Sequence, residues 1–301
     1  MNINRSKYLK SNSETCLLHK GRTINGQWCV FHSNIIYRLI LVLSNMFEVH
    51  LAGSKINLGL IVVDMQNGFV AKGGSYDKLG MNTPSYREII PKVKDLIDFC
   101  KSLGIPVFYT EAVRESSGID LLTKIHTLLP KSRVERLKLP ICVRGTWDAQ
   151  TIDEIKPEKD DHVIIKRRDS AFQDTELRVW LQSVGINVLV FCGVDTAICV
   201  ETSIRDAFNL GYDIVLISDA TASGIKKHYE TTLDLVRDYY GLQMNFDRFI
   251  TMVNNLKVIK NENLDIEHYS ESIDKFLNEF GLLDFREFRE EPVEVASQSP
   301  Q

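Results

Sequence analysis

The strongest constraint on this chain is a rhythm that begins at residue 57. Short, continuous apolar runs alternate with longer segments whose apolar residues recur at helical spacing. The runs are NLGLIVVDM, IPVFYTEA, HVIIKRR, NVLVFCGV and DIVLISDA, with RFITMV at 248–253 as a further strand. Between them lie SYREIIPKVKDLIDFCKSLG, TELRVWLQSVG, ICVETSIRDAFNLG and KKHYETTLDLVRDYYG. A strand that is apolar at every position is buried on both faces. Helices laid over both faces of a parallel sheet provide that burial. The first long helix shows the pattern: Ile89, Ile90, Val93, Leu96, Ile97 and Cys100 share one face, Ser85 reads as its cap and Gly104 as its end. Crossovers in such a sheet are right-handed, and its active site lies outside the carboxyl ends of the strands.

The rhythm sets the domain organisation. Residues 56–254 form the α/β domain, interrupted by a loop-rich stretch at 113–160 that contains RGTWDAQTIDEI. Residues 1–55 read as an N-terminal extension of uncertain standing. Within it NIIYRLILVLSNMF, at 34–47, carries Arg38 and Asn45 and is short for a membrane span, so it reads as a packing or amphipathic segment before a membrane anchor. Its distance from Met1 argues against an ordinary signal peptide, and a biological start at Met46 is an alternative. Residues 255–301 form a polar C-terminal extension, with a helix near 266–281 and a disordered tail, REEPVEVASQSPQ.

Charge and cysteine usage narrow the partners. The formal charge is −4, without a basic stripe, which argues against nucleic acid and membrane surfaces and for a small substrate. The six cysteines, Cys16, Cys29, Cys100, Cys142, Cys192 and Cys199, are scattered without a C-x-x-C pair. That spacing fits neither a zinc module nor a disulfide framework, and suits a reducing cytoplasm.

Three residues with chemical potential fall at strand carboxyl ends, which the fold gathers on one edge: Asp64, Lys166 and Cys199. Cys199 opens a helix, where the macrodipole favours thiolate and unpaired N–H groups suit an oxyanion. Cys192 inside its strand and Cys100 on its helix face are the inert counterparts. Lys166 closes an apolar strand and needs exposure or a partner. Asp64 can take a thiol proton and return it to a leaving group, or can simply form a turn. Gln66 and Phe69, just after Asp64, can contact substrate or pack a loop. Trp147 and Phe172 can wall a pocket or fill the core. Arg114 reads as a surface residue before a carboxylate binder, and His228 is given no role.

VVDMQNGF, KRRDSAF, GVDTAICVETSIRDAF and DIVLISDATAS, in this order and spacing, together resemble the isochorismatase-like cysteine hydrolases from about residue 57 to 242. The resemblance implies a Rossmann-like three-layer α/β/α sandwich with a six-stranded parallel sheet. It implies a triad of Asp64 (base, then acid), Lys166 (electrostatic partner) and Cys199 (nucleophile). It further implies a cis peptide at Val194–Asp195 and oxyanion donors at the backbone of Ile198 and Cys199, with neither metal nor organic cofactor. Retention of the cysteine favours C–N hydrolysis through a thioester over the vinyl-ether chemistry of isochorismatases proper. Nicotinamidases carry a metal motif of Asp-x-His and a further histidine. The region here reads YTEAVRESSGIDLL and has no histidine before His126. RGTWDAQTIDEI and KRRDSAFQDTEL are more similar to the ureide-directed branch of ureidoacrylate, biuret and N-carbamoylsarcosine amidohydrolases, which implies a small amide or ureide substrate and a homo-oligomer, dimer or tetramer. A nicotinamidase, an isochorismatase-type hydrolase and a non-catalytic binding protein on the same fold are the alternatives.

Overall fold

The computed structural model describes residues 49–51, 54–119, 128–131, 134, 140–159, 161–261 and 274–281. All of them lie in one unit of the chain, Met46–Gln301. The apolar segment 34–47, the tail from residue 289, His126, Cys16 and Cys29 lie outside the described residues.

A short antiparallel hairpin, β1 (Val49–Leu51) and β2 (Ser54–Ile56), precedes the main sheet. That sheet has six strands: β3 (Leu58–Val63), β4 (Val107–Ala112), β5 (His162–Lys166), β6 (Val188–Val194), β7 (Asp213–Ala222) and β8 (Leu242–Met244). Every pairing in it is parallel, in the order β5-β4-β3-β6-β7-β8. The chain lays down β3, builds outward to β5, then returns to the far side of β3 with β6. The order therefore reverses between β3 and β6, and the crevice at their carboxyl ends is where ligands bind in sheets of this kind.

Period-2 alternation divides the strand residues between two apolar layers. Leu58, Leu60 and Val62 of β3 join one layer with Val188, Val190, Cys192 and Val194 of β6. Ile61 and Val63 join the opposite layer with Leu189 and Phe191. The first layer is covered by the helices Ile90–Ser102 and Phe246–Asn261, the second by Leu177–Ser183 and Glu201–Asn209. In chain order the helices are α1 (Asn67–Val70), α2 (Ser75–Lys78), α3 (Pro84–Glu88), α4 (Ile90–Ser102), α5 (Leu177–Ser183), α6 (Glu201–Asn209), α7 (Lys226–Leu235) and α8 (Phe246–Asn261). The result is the three-layer α/β/α sandwich with a six-stranded parallel sheet that the sequence leads one to expect.

The structure departs from the sequence reading in three places. The first long helix is two, α3 and α4, because Pro91 has no N–H to continue the hydrogen-bond ladder. Ser85 does not cap it: Thr83 stands at the N-cap of α3, and the Ser85 hydroxyl donates to Asn82 O at 2.9 Å. RFITMV is helical, not a strand. Phe249, Met252, Val253 and Leu256 are all buried, a helical spacing that a six-residue window conceals. The sixth strand is instead the three-residue β8, paired to β7 from Val215↔Leu242 to Ile217↔Met244. Within the C-terminal extension, a helix at 274–280 places Phe276, Leu277 and Phe280 in the same apolar layer as Phe249 and Val253. No helix among the described residues is long and apolar enough to cross a membrane.

Candidate active site

Asp64 directly follows β3, with a left-handed backbone (φ 49°) and a side chain shut off from solvent. A non-glycine residue in this region is uncommon and is held there only by its surroundings. Thr110 of the neighbouring strand supplies them. Its Oγ1 accepts the Asp64 N–H at 3.1 Å and donates to Asp64 Oδ1 at 2.6 Å. Val63↔Thr110 pairing sets this contact.

Lys166 ends β5 and is fully buried. Its Nζ donates to the carbonyls of Arg168 and Asp169, both at 3.0 Å, and lies 2.7 Å from Asp64 Oδ2. Two carbonyl oxygens and one carboxylate oxygen thus surround the ammonium. The contact to Oδ2 is a close ion pair without hydrogen-bond geometry, and Oδ2 accepts no other hydrogen bond among the described residues. Burial works against the ammonium, but the Asp64 carboxylate and the Cys199 sulfur outweigh it and hold the lysine pKa above its ordinary value.

Cys199 sits in a π-helical turn, Thr196–Val200, between β6 and α6. The i→i−5 bond from Val200 N to Asp195 O, 3.1 Å, is the widened link of that turn. The residue is partly exposed, unlike Cys100, Cys142 and Cys192. Burial pushes its pKa well up, Lys166 pulls it down, and Asp64 and Asp169 add to the rise. This opposes the expectation from a helix N-terminus alone, because burial is the largest influence on the thiol and exceeds the pull of the single lysine. The Asp64 carboxylate is close enough to the sulfur to act on its titration.

The Val194–Asp195 peptide is cis. The Ile198 N–H, expected to serve an oxyanion, donates to Asp195 O at 3.1 Å. That corrects its assignment in the resting protein, where the carbonyl of the capping residue already holds it.

The residues expected around a pocket are placed as follows. Gln66 is fully buried and spends its side chain on the backbone: Nε2 donates to Ala112 O (3.1 Å) and Ala149 O (2.8 Å), and Oε1 accepts from Ala112 N (2.8 Å). It is a strut joining the Asp64 loop to β4 and to the 141–151 loop, with no amide hydrogen left for a substrate. Phe69 packs edge-on to Tyr76, centroids 4.8 Å apart. Phe172 and Cys199 border the same apolar layer, and the Phe172 ring lies 5.9 Å from that of Tyr212. Trp147 is 49% exposed, on a short 3-10 turn whose carbonyl accepts from Asn67 Nδ2 at 3.0 Å. Arg114 joins its backbone to the 142–144 segment, and His228 is exposed on α7.

Two contributors escaped the sequence reading. Thr110 carries a signal only once β4 is known to lie beside β3. Gly193 looks like one more glycine, yet its φ is 103° and a Cβ there would stand 2.2 Å from Val63 O. Only glycine lets β6 approach β3 just before Asp64.

Fold and strand order define the class first: this is a Rossmann-like α/β/α sandwich with its crevice between β3 and β6. The chain belongs to the isochorismatase family, whose domain model matches residues 59–246. It is 31% identical over 198 residues to the ureidoacrylate amidohydrolase RutB of Serratia proteamaculans, covering 63% of this chain and 80% of that protein. An isochorismatase-like hydrolase from Alkaliphilus metalliredigens superposes with a TM-score of 0.52 at 26% identity, over 65% of this chain and 98% of the other. N-carbamoylsarcosine amidase from Thermoplasma acidophilum superposes with a TM-score of 0.51 at 26% identity, over 63% and 96%.

Proposed function

We propose that this protein is a cysteine-dependent amidohydrolase that cleaves a non-peptide C–N bond of a small ureide or carbamoyl compound. The carrying observation is the buried Lys166–Asp64 pair, 2.7 Å apart at the sheet's switch point beside Cys199. A pair so enclosed is costly to build unless the charges have work to do. The similarity to a ureidoacrylate amidohydrolase and to an N-carbamoylsarcosine amidase supports the ureide class.

In this scheme the neutral Cys199 thiol gives its proton to Asp64 as Sγ attacks the carbonyl carbon. The Cys199 N–H and the turn it belongs to face the oxyanion, and Lys166 balances the charge that passes between sulfur and carboxylate. Asp64 protonates the departing nitrogen as the C–N bond breaks, leaving a thioester. A water then gives a proton to Asp64, adds to the thioester and expels Sγ, which recovers its proton. Asp64 Oδ2, which accepts no hydrogen bond among the described residues, carries that proton in this scheme.

The test is ammonia release from biuret, ureidoacrylate analogues, N-carbamoyl amino acids, nicotinamide and a simple aliphatic amide, for wild type and Cys199→Ala in parallel. Cysteine-dependent release from a ureide is the expected result. Release from nicotinamide alone would transfer the protein to the nicotinamidase reading. Equal release by Cys199→Ala would end the nucleophile assignment.

A further inference from the structure

We infer that Tyr86 is a positioning residue for the Cys199 turn, acting through the Asp195 carboxylate; the inference rests on Cys199 being the nucleophile. Asp195 holds the turn with both of its polar groups. Its Oδ1 accepts the Ala197 N–H at 2.8 Å as an N-cap, and its carbonyl accepts those of Ile198 and Val200, both at 3.1 Å. Three of the turn's amides therefore point at one residue, and wherever Asp195 sits the cysteine backbone follows.

That residue is gripped from outside the turn. Tyr86 Oη donates to Asp195 Oδ2 at 2.6 Å. Ser223 Oγ reaches both carboxylate oxygens, at 2.8 and 3.0 Å, and Gly224 N reaches Oδ2 at 3.2 Å. The serine and glycine come from the segment just past β7. The tyrosine comes from α3, more than a hundred residues from Asp195 along the chain, so the bond ties a separate part of the fold to the cysteine turn. Tyr86 is 1% exposed. Its hydroxyl stays protonated, because burial and then the adjacent carboxylate push its pKa up, so it acts here as a donor. A short phenol-to-carboxylate bond is charge-assisted and among the stronger and more directional contacts available.

The placement of the tyrosine is itself secured. Asn82 Nδ2 donates to Gly224 O at 3.1 Å and Ser85 Oγ to Ser223 O at 3.3 Å. The start of α3 thus clasps the same segment that supplies Ser223 and Gly224. An added Cβ on Gly224 would come within 3.2 Å of the Tyr86 oxygen, so the glycine leaves the hydroxyl its path to Asp195. Packing alone would be served as well by phenylalanine; the hydroxyl and its aim at Asp195 are what the geometry adds.

The experiment compares wild type, Tyr86→Phe, Asp195→Ser and the double variant. Serine keeps an N-cap oxygen for the turn but is too short to replace the carboxylate. Two readouts are taken: the rate of iodoacetamide alkylation at Cys199, resolved by mass spectrometry of its peptide, and kcat and KM on the ureide that wild type turns over. For Tyr86→Phe, kcat is expected to fall about tenfold with KM held within about twofold. The alkylation rate at Cys199 should change by about threefold or more. The double variant should lose no more than Asp195→Ser alone, because the two side chains act through one contact. Unchanged kcat and alkylation in Tyr86→Phe, or losses that multiply in the double variant, would overturn the inference. If wild type hydrolyses no ureide, the functional proposal fails by itself, and the alkylation arm still decides the role of Tyr86.

Discussion

Lys166 Nζ and Asp64 Oδ2 lie 2.7 Å apart with their side chains 0% and 1% exposed, the end of β5 meeting the end of β3 across the width of β4. Removing one partner strands the other charge. Lys166→Met should destabilise the protein by about 3–5 kcal/mol and abolish turnover. Lys166→Met combined with Asp64→Leu should recover much of that stability and none of the activity. Urea unfolding of the three proteins checks this; a double variant as unstable as the single would show that the charges are not the cause.

The Thr110 hydroxyl holds Asp64 by two bonds, one to its amide and one to its carboxylate, beside the backbone bond from Asp64 N to Thr110 O at 3.2 Å. Thr110→Val keeps the shape and removes both. The loss should cost about 1–3 kcal/mol of stability. It should also lower kcat by roughly tenfold while KM changes little, since the base would no longer be fixed. Steady-state kinetics on the working substrate separates the two constants, and an unaltered kcat would count against Asp64 as the proton carrier.

Gly193→Ala sets a methyl carbon 2.2 Å from Val63 O and 2.7 Å from Val63 N, both backbone atoms that cannot rotate away. The positive φ adds strain for any other residue. A destabilisation of about 3 kcal/mol or more is expected. Activity in the surviving folded protein should also fall, because Val63 immediately precedes Asp64. Thermal unfolding together with activity per folded molecule tests both parts.

The buried thiols predict how stability responds to alkali. Burial raises the pKa of Cys100, Cys142 and Cys192 above the ordinary thiol value of 9.0. Below that value the thiols are protonated in folded and unfolded chains alike, and their contribution to stability is complete. Above it the unfolded chain ionises while the folded one does not, so stability declines with rising pH, by up to about 1.4 kcal/mol per pH unit for each thiol. Urea midpoints should therefore fall between about pH 9 and pH 10.5, the span above the thiol value and below that of lysine. Cys192→Ala should show a shallower fall; an identical slope would remove Cys192 from the account.

Five of the six strands, their parallel sense, the two apolar layers and the residues at the carboxyl edge were legible in the sequence, because continuous apolar strands and period-3.6 helices leave few other ways to bury themselves; the three-residue β8 was too short to show a pattern. The sequence also marked Asp64, Lys166 and Cys199, since an acid, a base and a thiol at strand ends stand out against apolar neighbours. Pairing across the sheet decided the rest. Thr110 matters only because β4 lies beside β3, and Gly193 because β6 lies on the other side. The amide of Gln66 bonds to backbone on β4 and the 141–151 loop, and Tyr86 meets Asp195 from a distant part of the chain. The direction of the Cys199 shift belongs with these: a helix N-terminus favours thiolate, but burial, with Asp64 and Asp169 adding to it, raises the thiol's pKa. Local spacing records which face a side chain takes. The charges and donors it meets there come from segments far away in sequence, and only the closed fold brings them together.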